Sequence, residues 1–473
     1  MRKCVLTATG LALLLCVLSP LGQPRPAFAF FIVNTTDDST YDGTCDATHC
    51  TLREALTLAN SSPGGDYIHV IIPEDDPGCD GVVCTITLSS THGALPPLQD
   101  MSGGTFVNGT SQPDTNPDGP EIVVNGSGTY DCFKIWSPYN TIKGFVINEC
   151  VYGVTILDAG ISYDPAYNTI SGNYIGINYD GTTAAGNTQG GIWILNAHDN
   201  TIGGTTAQER NIISGNDFYG VSIFGADAHH NKVIGNYIGT SADGTGAVAN
   251  SWAGIGITSD AHHNAVGGLT SAKRNVISGN NPGGVSIDNG ANTNIVLGNY
   301  IGTAPNGVDA VPNSVGVSIG SGAHHNGIGY INTIAHNTNY GVRIDGAATT
   351  ANTIATNSIH SNGIQGIALT NGGNPGISPP SITTPSCNSA GGTAPSGSTV
   401  EIFSDYDGQG RQFHGEDQVS GGGTWMVTLP SGIFTYPNLT ATATDTSGST
   451  SEFSAPVRNG CEFNLLPLAM KEY

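Results

Sequence analysis

Asn173-Tyr174-Ile175-Gly176 returns as Asn236-Tyr237-Ile238-Gly239 and again as Asn299-Tyr300-Ile301-Gly302, each step 63 residues long. Working outward, Arg210-Asn211-Ile212-Ile213-Ser214-Gly215-Asn216 recurs 64 residues later from Arg274 to Asn280, and Gly203-Gly204 recurs as Gly267-Gly268. Inside this long unit lies a shorter one, Gly-[Ile/Val]-x-[Ile/Val/Leu], which starts at Gly153, Gly191, Gly220, Gly254, Gly284, Gly316, Gly341 and Gly366, the last three 25 residues apart. Each short run alternates apolar and polar residues between Gly or Asn, which predicts brief strands and no helical face. A short coil with two or three such strands, repeated without helices, predicts a parallel β-helix in which every strand pairs with its equivalent ~4.8 Å away in the next coil. The longer spacings are the same coil carrying a loop: 178–189, 241–252 and 304–314 on one rung, 205–209 and 269–273 on the next. The Asn residues at turns, among them Asn216, Asn236, Asn280 and Asn299, predict side-chain amides bonding up and down the stack.

Composition agrees with an all-β reading. Charged residues make up 11% of the 473, while Gly contributes 67, a balance foreign to coiled coils and helical bundles. Fourteen Lys and Arg stand against 37 Asp and Glu, so no general basic field exists for nucleic acid or an anionic membrane. Arg2 and Lys3 precede an apolar run ending near Leu18, and Ala27-Phe28-Ala29 has the small-x-small form of a signal-peptidase site. We expect residues 1–29 to be a signal peptide and the mature, secreted chain to start at Phe30. Cys16 follows Leu15 rather than a small residue, which argues against a lipoprotein anchor, and no other stretch suffices for a transmembrane span. The eight cysteines that remain fall into neighbouring couples: Cys45 with Cys50, Cys79 with Cys84, Cys132 with Cys150, and Cys387 with Cys461. An even count in a secreted chain predicts disulfides, although eight cysteines allow 105 connectivities.

An open solenoid end is an unpaired strand edge and needs a cap. Cys50-Thr51-Leu52-Arg53-Glu54-Ala55-Leu56 predicts a short helix, with Thr51 and Glu54 as a capping box and Leu52, Ala55, Leu56 and Ala59 on one apolar face. This segment, with Cys45 and Cys50, resembles the CSLREA N-terminal domain of secreted bacterial proteins, Thr51 standing where that name has Ser. Residues 140–374 resemble the right-handed parallel β-helix repeats of the pectin-lyase-like superfamily, which implies that fold and leaves the activity open. Beyond Gly376 the punctuation changes to Ser, Pro and Thr, and Thr399–Phe403, Thr424–Leu429 and Leu439–Thr444 predict the strands of an Ig-like β-sandwich. The expected organisation is a signal peptide over 1–29, a CSLREA-like cap over 30–64, a parallel β-helix over 65–376, an Ig-like β-sandwich over 377–461 and a C-terminal tail over 462–473.

Candidate sites are few. Gly316-Val317-Ser318-Ile319-Gly320 matches the nucleophile elbow, but Ser222 and Ser286 hold the same place in sister coils, which makes Ser318 an ordinary outward residue. The polygalacturonase patterns Asn-Thr-Asp, Gly-His-Gly and Arg-Ile-Lys are absent. The outward column reads Thr155, Trp193, Ser222, Gly256, Ser286, Ser318, Arg343, Ala368. Trp193 is placed to stack on a sugar ring and Arg343 with Asp345 to hold a carboxylate or hydroxyls, making these three the candidate ligand site. Asp180 and Asp243 hold equivalent positions in loops two coils apart and are candidate calcium ligands, although Asp-Gly is first a turn signal. His229-His230, His262-His263 and His324-His325 recur in Ala-His-His-Asn, with His198 in the matching first place. Stacked ~5 Å apart, His229, His230, His262 and His263 are candidates to share a transition metal, the alternative being a simple turn ladder. No cofactor is otherwise expected. The reading favours a secreted, non-catalytic scaffold that binds polysaccharide or another cell-surface component, with a polysaccharide lyase or glycoside hydrolase of the pectin-lyase-like fold as the alternative.

Overall fold

The computed structural model describes residues 29–113, 115–116, 119–158, 160 and 164–461. The expected signal peptide, apart from Ala29, and the expected tail over 462–473 lie outside the described residues.

Three parallel sheets of 11, 10 and 9 strands carry the chain. The first runs from Phe30–Val33 to Thr353–Ala355, the second from Cys84–Thr87 to Ser358–His360, and the third from Phe133–Ile135 to Gln365–Thr370. From Phe106 onward each coil contributes one strand to each sheet, the first two coils giving one and two strands, and the crossovers give the right-handed parallel β-helix predicted from the repeats. Strands of two to six residues suffice because the interior is filled by columns rather than by long runs. In the first sheet Ile170, Ile202, Val233, Val266, Val296, Ile328 and Ile354 lie in register and all are buried. Each such side chain contributes about 1.5–3 kcal/mol relative to exposure, so stability accumulates rung by rung.

Three ladders of buried asparagine run along the turns. One extends from Asn140 through Asn168, Asn200 and Asn231 to Asn374, each side-chain oxygen accepting the backbone N–H of the Asn one coil earlier. A second links Asn173, Asn211, Asn236, Asn275, Asn299 and Asn332, and a third links Asn187, Asn216, Asn250, Asn280, Asn313, Asn337 and Asn362. A turn inside a solenoid has backbone groups that no strand partner reaches, and the amides supply those partners. The recurring Gly-Gly has a related cause. Gly203 has φ 95°, and a Cβ there would lie 2.0 Å from the Ile234 carbonyl oxygen and 2.5 Å from the Asn236 amide. Close approach of adjacent coils excludes any side chain at that point.

At the N-terminal end the helix Leu52–Ala59 starts from the Thr51/Glu54 capping box and buries Leu52, Ala55, Leu56 and Ala59. Arg53 ties it down: Nε and Nη2 donate to the two Asp38 carboxylate oxygens at 2.8 Å each, and Nη1 donates to the Ala94 carbonyl at 2.7 Å. The structure joins Cys45 to Cys50, Cys79 to Cys84, Cys132 to Cys150 and Cys387 to Cys461.

The C-terminal region forms two small antiparallel sheets, of three and four strands, around Val400, Ile402, Trp425, Val427, Phe434 and Leu439. It is seated on the last coil. The Ser449 and Thr450 hydroxyl oxygens accept the Ala351 and Ile354 N–H groups at 3.1 and 2.9 Å, and the Glu401 carboxylate accepts the Thr356 N–H at 3.1 Å. Gln409 continues the third ladder, its Oε1 accepting both the N–H and the Nδ2–H of Asn362 at 2.9 and 3.2 Å. A glutamine from the C-terminal region thus stands where the next coil would have placed an asparagine.

Candidate functional site

Along the third sheet the register aligns Thr155, Trp193, Ser222, Gly256, Ser286, Ser318, Arg343 and Ala368 in one column on the outer face. The small members in the middle open a trough, and a groove of about 430 Å³ occupies it. Gly256 sets its depth at one side: the Tyr219 ring lies over this glycine, so that a Cβ would stand 2.5 Å from the ring. Trp252, 47% exposed at the end of the 241–252 loop, forms the adjoining wall and packs on Phe218 at 5.4 Å between ring centroids. An amphipathic aromatic wall over a polar floor is the arrangement that stacks on a flat apolar face while leaving hydroxyls to be hydrogen-bonded.

Asp288 and Arg343 supply the charges. Asp288 accepts a hydrogen bond from the Ser286 hydroxyl, and burial pushes its carboxyl up, opposed by that bond and by the Arg343 charge. Burial and then the Asp288 charge push the Tyr219 phenol up as well. Arg343 lies two rungs beyond Ser286 in the column, roughly 10 Å along the stack. Its Nε is buried without a hydrogen-bond partner. Water does not reach this atom, so an oxygen entering the groove satisfies it only when the half-buried Arg343 side chain shifts toward the groove. Among the residues lining the groove, Asp288 is the one carboxylate and Arg343 the one cation.

Of the three ligand residues expected from the sequence, Arg343 and Asp345 stand two residues apart on the strand Tyr340–Asp345, close enough for the Arg343 charge to act on the Asp345 carboxyl. Arg343 lines the groove. Trp193 lies in the same column but stacks on Tyr152, with centroids 4.8 Å apart. Asp345 accepts from the Thr370 hydroxyl and the Asn371 amide at 2.5 and 2.8 Å, which, the Thr370 bond first, holds its carboxyl below the usual range. Tyr219, Trp252 and Asp288 were outside the sequence reading. The lone glycine in the outward column, with Tyr219 at the edge of the preceding coil and Trp252 at the edge of its own, was the available signal.

Asp180 and Asp243 sit in stacked loops, the Ala242 N–H donating to the Gly181 carbonyl at 2.8 Å. Each carboxylate serves its own turn: Asp180 accepts the Thr182 and Thr183 N–H groups at 2.7 and 2.8 Å, and Asp243 accepts the Ser241 hydroxyl at 2.6 Å and the Thr245 N–H at 2.9 Å.

The histidines form a column on another face. His198, His229 and His262 stack at 4.7 and 5.2 Å between centroids, and His230 stacks on His263 at 5.5 Å. Burial, then the His198, His230 and His262 rings, hold His229 below the usual imidazole range. Asn292 pairs with both His262 and His324 across the coils, so it and Thr293 occupy the rung between the second and third histidine pairs.

No protein-family model matches this chain, and no curated protein does. Among solved structures it is similar to the A-module of a mannuronan C-5 epimerase of Azotobacter vinelandii, at 14% identity over 73% of this chain and 100% of that one, with a TM-score of 0.40. A mutant periplasmic alginate epimerase is 12% identical over 65% of this chain and 75% of that one, with a TM-score of 0.33. A mutant tailspike of an E. coli bacteriophage, in complex with a hexasaccharide, is 10% identical over 87% and 92%, with a TM-score of 0.29.

Proposed function

We propose that this protein is a secreted saccharide-binding scaffold whose binding site is the groove between Tyr219, Trp252, Asp288 and Arg343. The observation that carries the reading is the juxtaposition of an exposed aromatic wall with a buried, unpartnered Arg343 Nε and the half-buried Asp288 in one trough. One cation and one carboxylate suit hydroxyl recognition on a neutral chain. A polyanion would meet a protein of formal net charge −23 with a single arginine to receive it. Four disulfides support an oxidising, extracytoplasmic location, and no helix among the described residues is long and apolar enough to cross a membrane. The CSLREA-like cap over 30–64, the β-helix over 65–376 and an Ig-like module over 377–461 are the functional units of this proposal.

The alternative is a polysaccharide lyase or glycoside hydrolase. Acid–base glycoside hydrolysis ordinarily takes two carboxyl groups flanking one bond, and this groove offers Asp288 alone. The test is incubation of the mature protein with neutral and uronate-containing polysaccharides, with and without calcium, scored for binding and for new reducing or unsaturated ends. Binding of a neutral polysaccharide without cleavage, weakened about tenfold (~1.4 kcal/mol) in Trp252→Ala, supports the proposal. Cleavage products abolished by Asp288→Asn establish the alternative.

A further inference from the structure

The histidine column has a feature that stacking alone does not explain. On five consecutive coils the same turn presents two adjacent polar side chains bonded to each other: His198 with Asp199 at 2.9 Å, His229 with His230 at 2.8 Å, His262 with His263 at 2.8 Å, Asn292 with Thr293 at 3.1 Å, and His324 with His325 at 2.9 Å. The second member of each couple has left-handed backbone, with φ of 56° at Asp199, His230, His263 and Thr293 and 57° at His325. That conformation folds the second side chain back against the first, so each histidine couple brings its two Nδ1 atoms together. In such a bond one Nδ1 donates the proton that the other accepts, and a metal that took both nitrogens would displace this proton.

Metals differ in the separation they require of a donor pair. Two donors ~2.0 Å from an ion and at right angles to one another are ~2.8 Å apart, whereas tetrahedral donors are ~3.3 Å apart. The couples stand at 2.8 and 2.9 Å, an N–H···N hydrogen-bond distance, so loss of the shared proton lets both nitrogens take the cis edge of a square-planar or tetragonal ion with little movement of either ring. One couple has more to offer than the others. Ligand atoms of His198, Asp199 and His229 all lie within 4.8 Å of one another, and Asp164 accepts from His198 Nε2–H at 3.0 Å, which leaves Nδ1, now against Asp199, as the atom His198 offers a metal.

We propose that the turn carrying His198, Asp199, His229 and His230 is a binding site for Cu(II) or Ni(II), with His229 Nδ1 and His230 Nδ1 as the cis pair and His198 and Asp199 completing the set. The site is separate from the saccharide groove and stands or falls independently of it.

The test uses the untagged mature protein and Cu(II) alone, followed by calorimetry and electron paramagnetic resonance. Wild type is expected to show one Cu(II) equivalent bound at least tenfold more tightly than the remainder, with tetragonal parameters and hyperfine coupling to two or more nitrogens. The tight equivalent should be lost in the triple variant His198→Gln, His229→Gln, His230→Asn and kept in His324→Gln, His325→Asn. Asn is chosen at 230 because it tolerates left-handed backbone. If the triple variant does not fold, Asp199→Asn and His230→Asn singly serve the same comparison, each lowering the tight affinity. A tight class that survives in these variants, or a spectrum without coupling to at least two nitrogens, overturns the proposal.

Discussion

Gly256 shows how one missing side chain makes a site. Its neighbours in the outward column are Ser222 and Ser286, and only the glycine leaves room for the Tyr219 ring to fold over the sheet. Gly256→Ala places a methyl group 2.5 Å from that ring, so Tyr219 must leave its place in the groove wall. We expect this variant to bind saccharide at least tenfold more weakly while its melting temperature changes by only a few degrees, as read by titration and calorimetry on the same preparation. Unchanged binding would show that Tyr219 does not shape the site. Of the groove, Arg343 was legible in the sequence because the repeat puts it in an outward column of small residues. Trp252 was not, because it closes an inserted loop whose path the repeat does not dictate. Asp288 was not either, since it lies one residue beyond the strand Gly283–Ile287 and its burial depends on neighbouring coils.

The asparagine ladders explain why such short strands hold together. Asn236 accepts from the Asn211 N–H and donates to the Ile202 carbonyl and to Asn275 Oδ1, at 3.2, 2.9 and 3.2 Å. Asn236→Ala strands these groups in a dry interior, for which about 2–4 kcal/mol of destabilisation is expected, measurable as a lower urea midpoint. The ladders were anticipated from the recurrence of Asn at turns, because that spacing is a property of every coil. The end of the third ladder was not. Gln409 lies 47 residues from Asn362 in a stretch with no repeat, and only the folded C-terminal region brings it there. Gln409→Ala should raise hydrogen exchange in the last coil, around the strand Gln365–Thr370, and leave the middle coils protected. Uniform exchange along the solenoid would argue that the C-terminal sheets do not act as a cap.

At the scale of the molecule, the repeats made the solenoid legible and the capping box announced the N-terminal helix. The junction of the solenoid with the C-terminal sheets was illegible because it rests on single side-chain bonds between dissimilar partners. Two groups in that junction, Glu401 and His360, are displaced far from their ordinary values. Burial, opposed by the Thr356 N–H and reinforced by Glu416, pushes Glu401 up to about 7. Burial, then the Arg411 charge, brings His360 down to about 4. Between the ordinary carboxylate value and about 7 the folded Glu401 keeps a proton that the unfolded chain releases, so its contribution to stability falls as pH rises across that window. His360 works in the opposite sense: between about 4 and the ordinary imidazole value the unfolded chain binds a proton that the folded one refuses, so stability falls as pH drops. The two together give greatest junction stability near mildly acid pH. Glu401→Gln should remove the loss on the alkaline side, raising stability at pH 8 by about 3 kcal/mol relative to wild type while leaving the acid limb in place. Parallel pH profiles for the two proteins would contradict this assignment.

Saccharide held in the groove of the third sheet leaves a footprint on named side chains. Hydroxyl-radical footprinting of the mature protein, with and without the tightest-binding neutral oligosaccharide from the polysaccharide panel, locates the contact residue by residue. Binding in the groove protects Trp252 and Phe218, both exposed in the free protein, and leaves Trp193 and the exposed Tyr139 unchanged. Protection at Trp193 or elsewhere on the solenoid, with Trp252 still fully reactive, would place the ligand outside the groove and contradict the account.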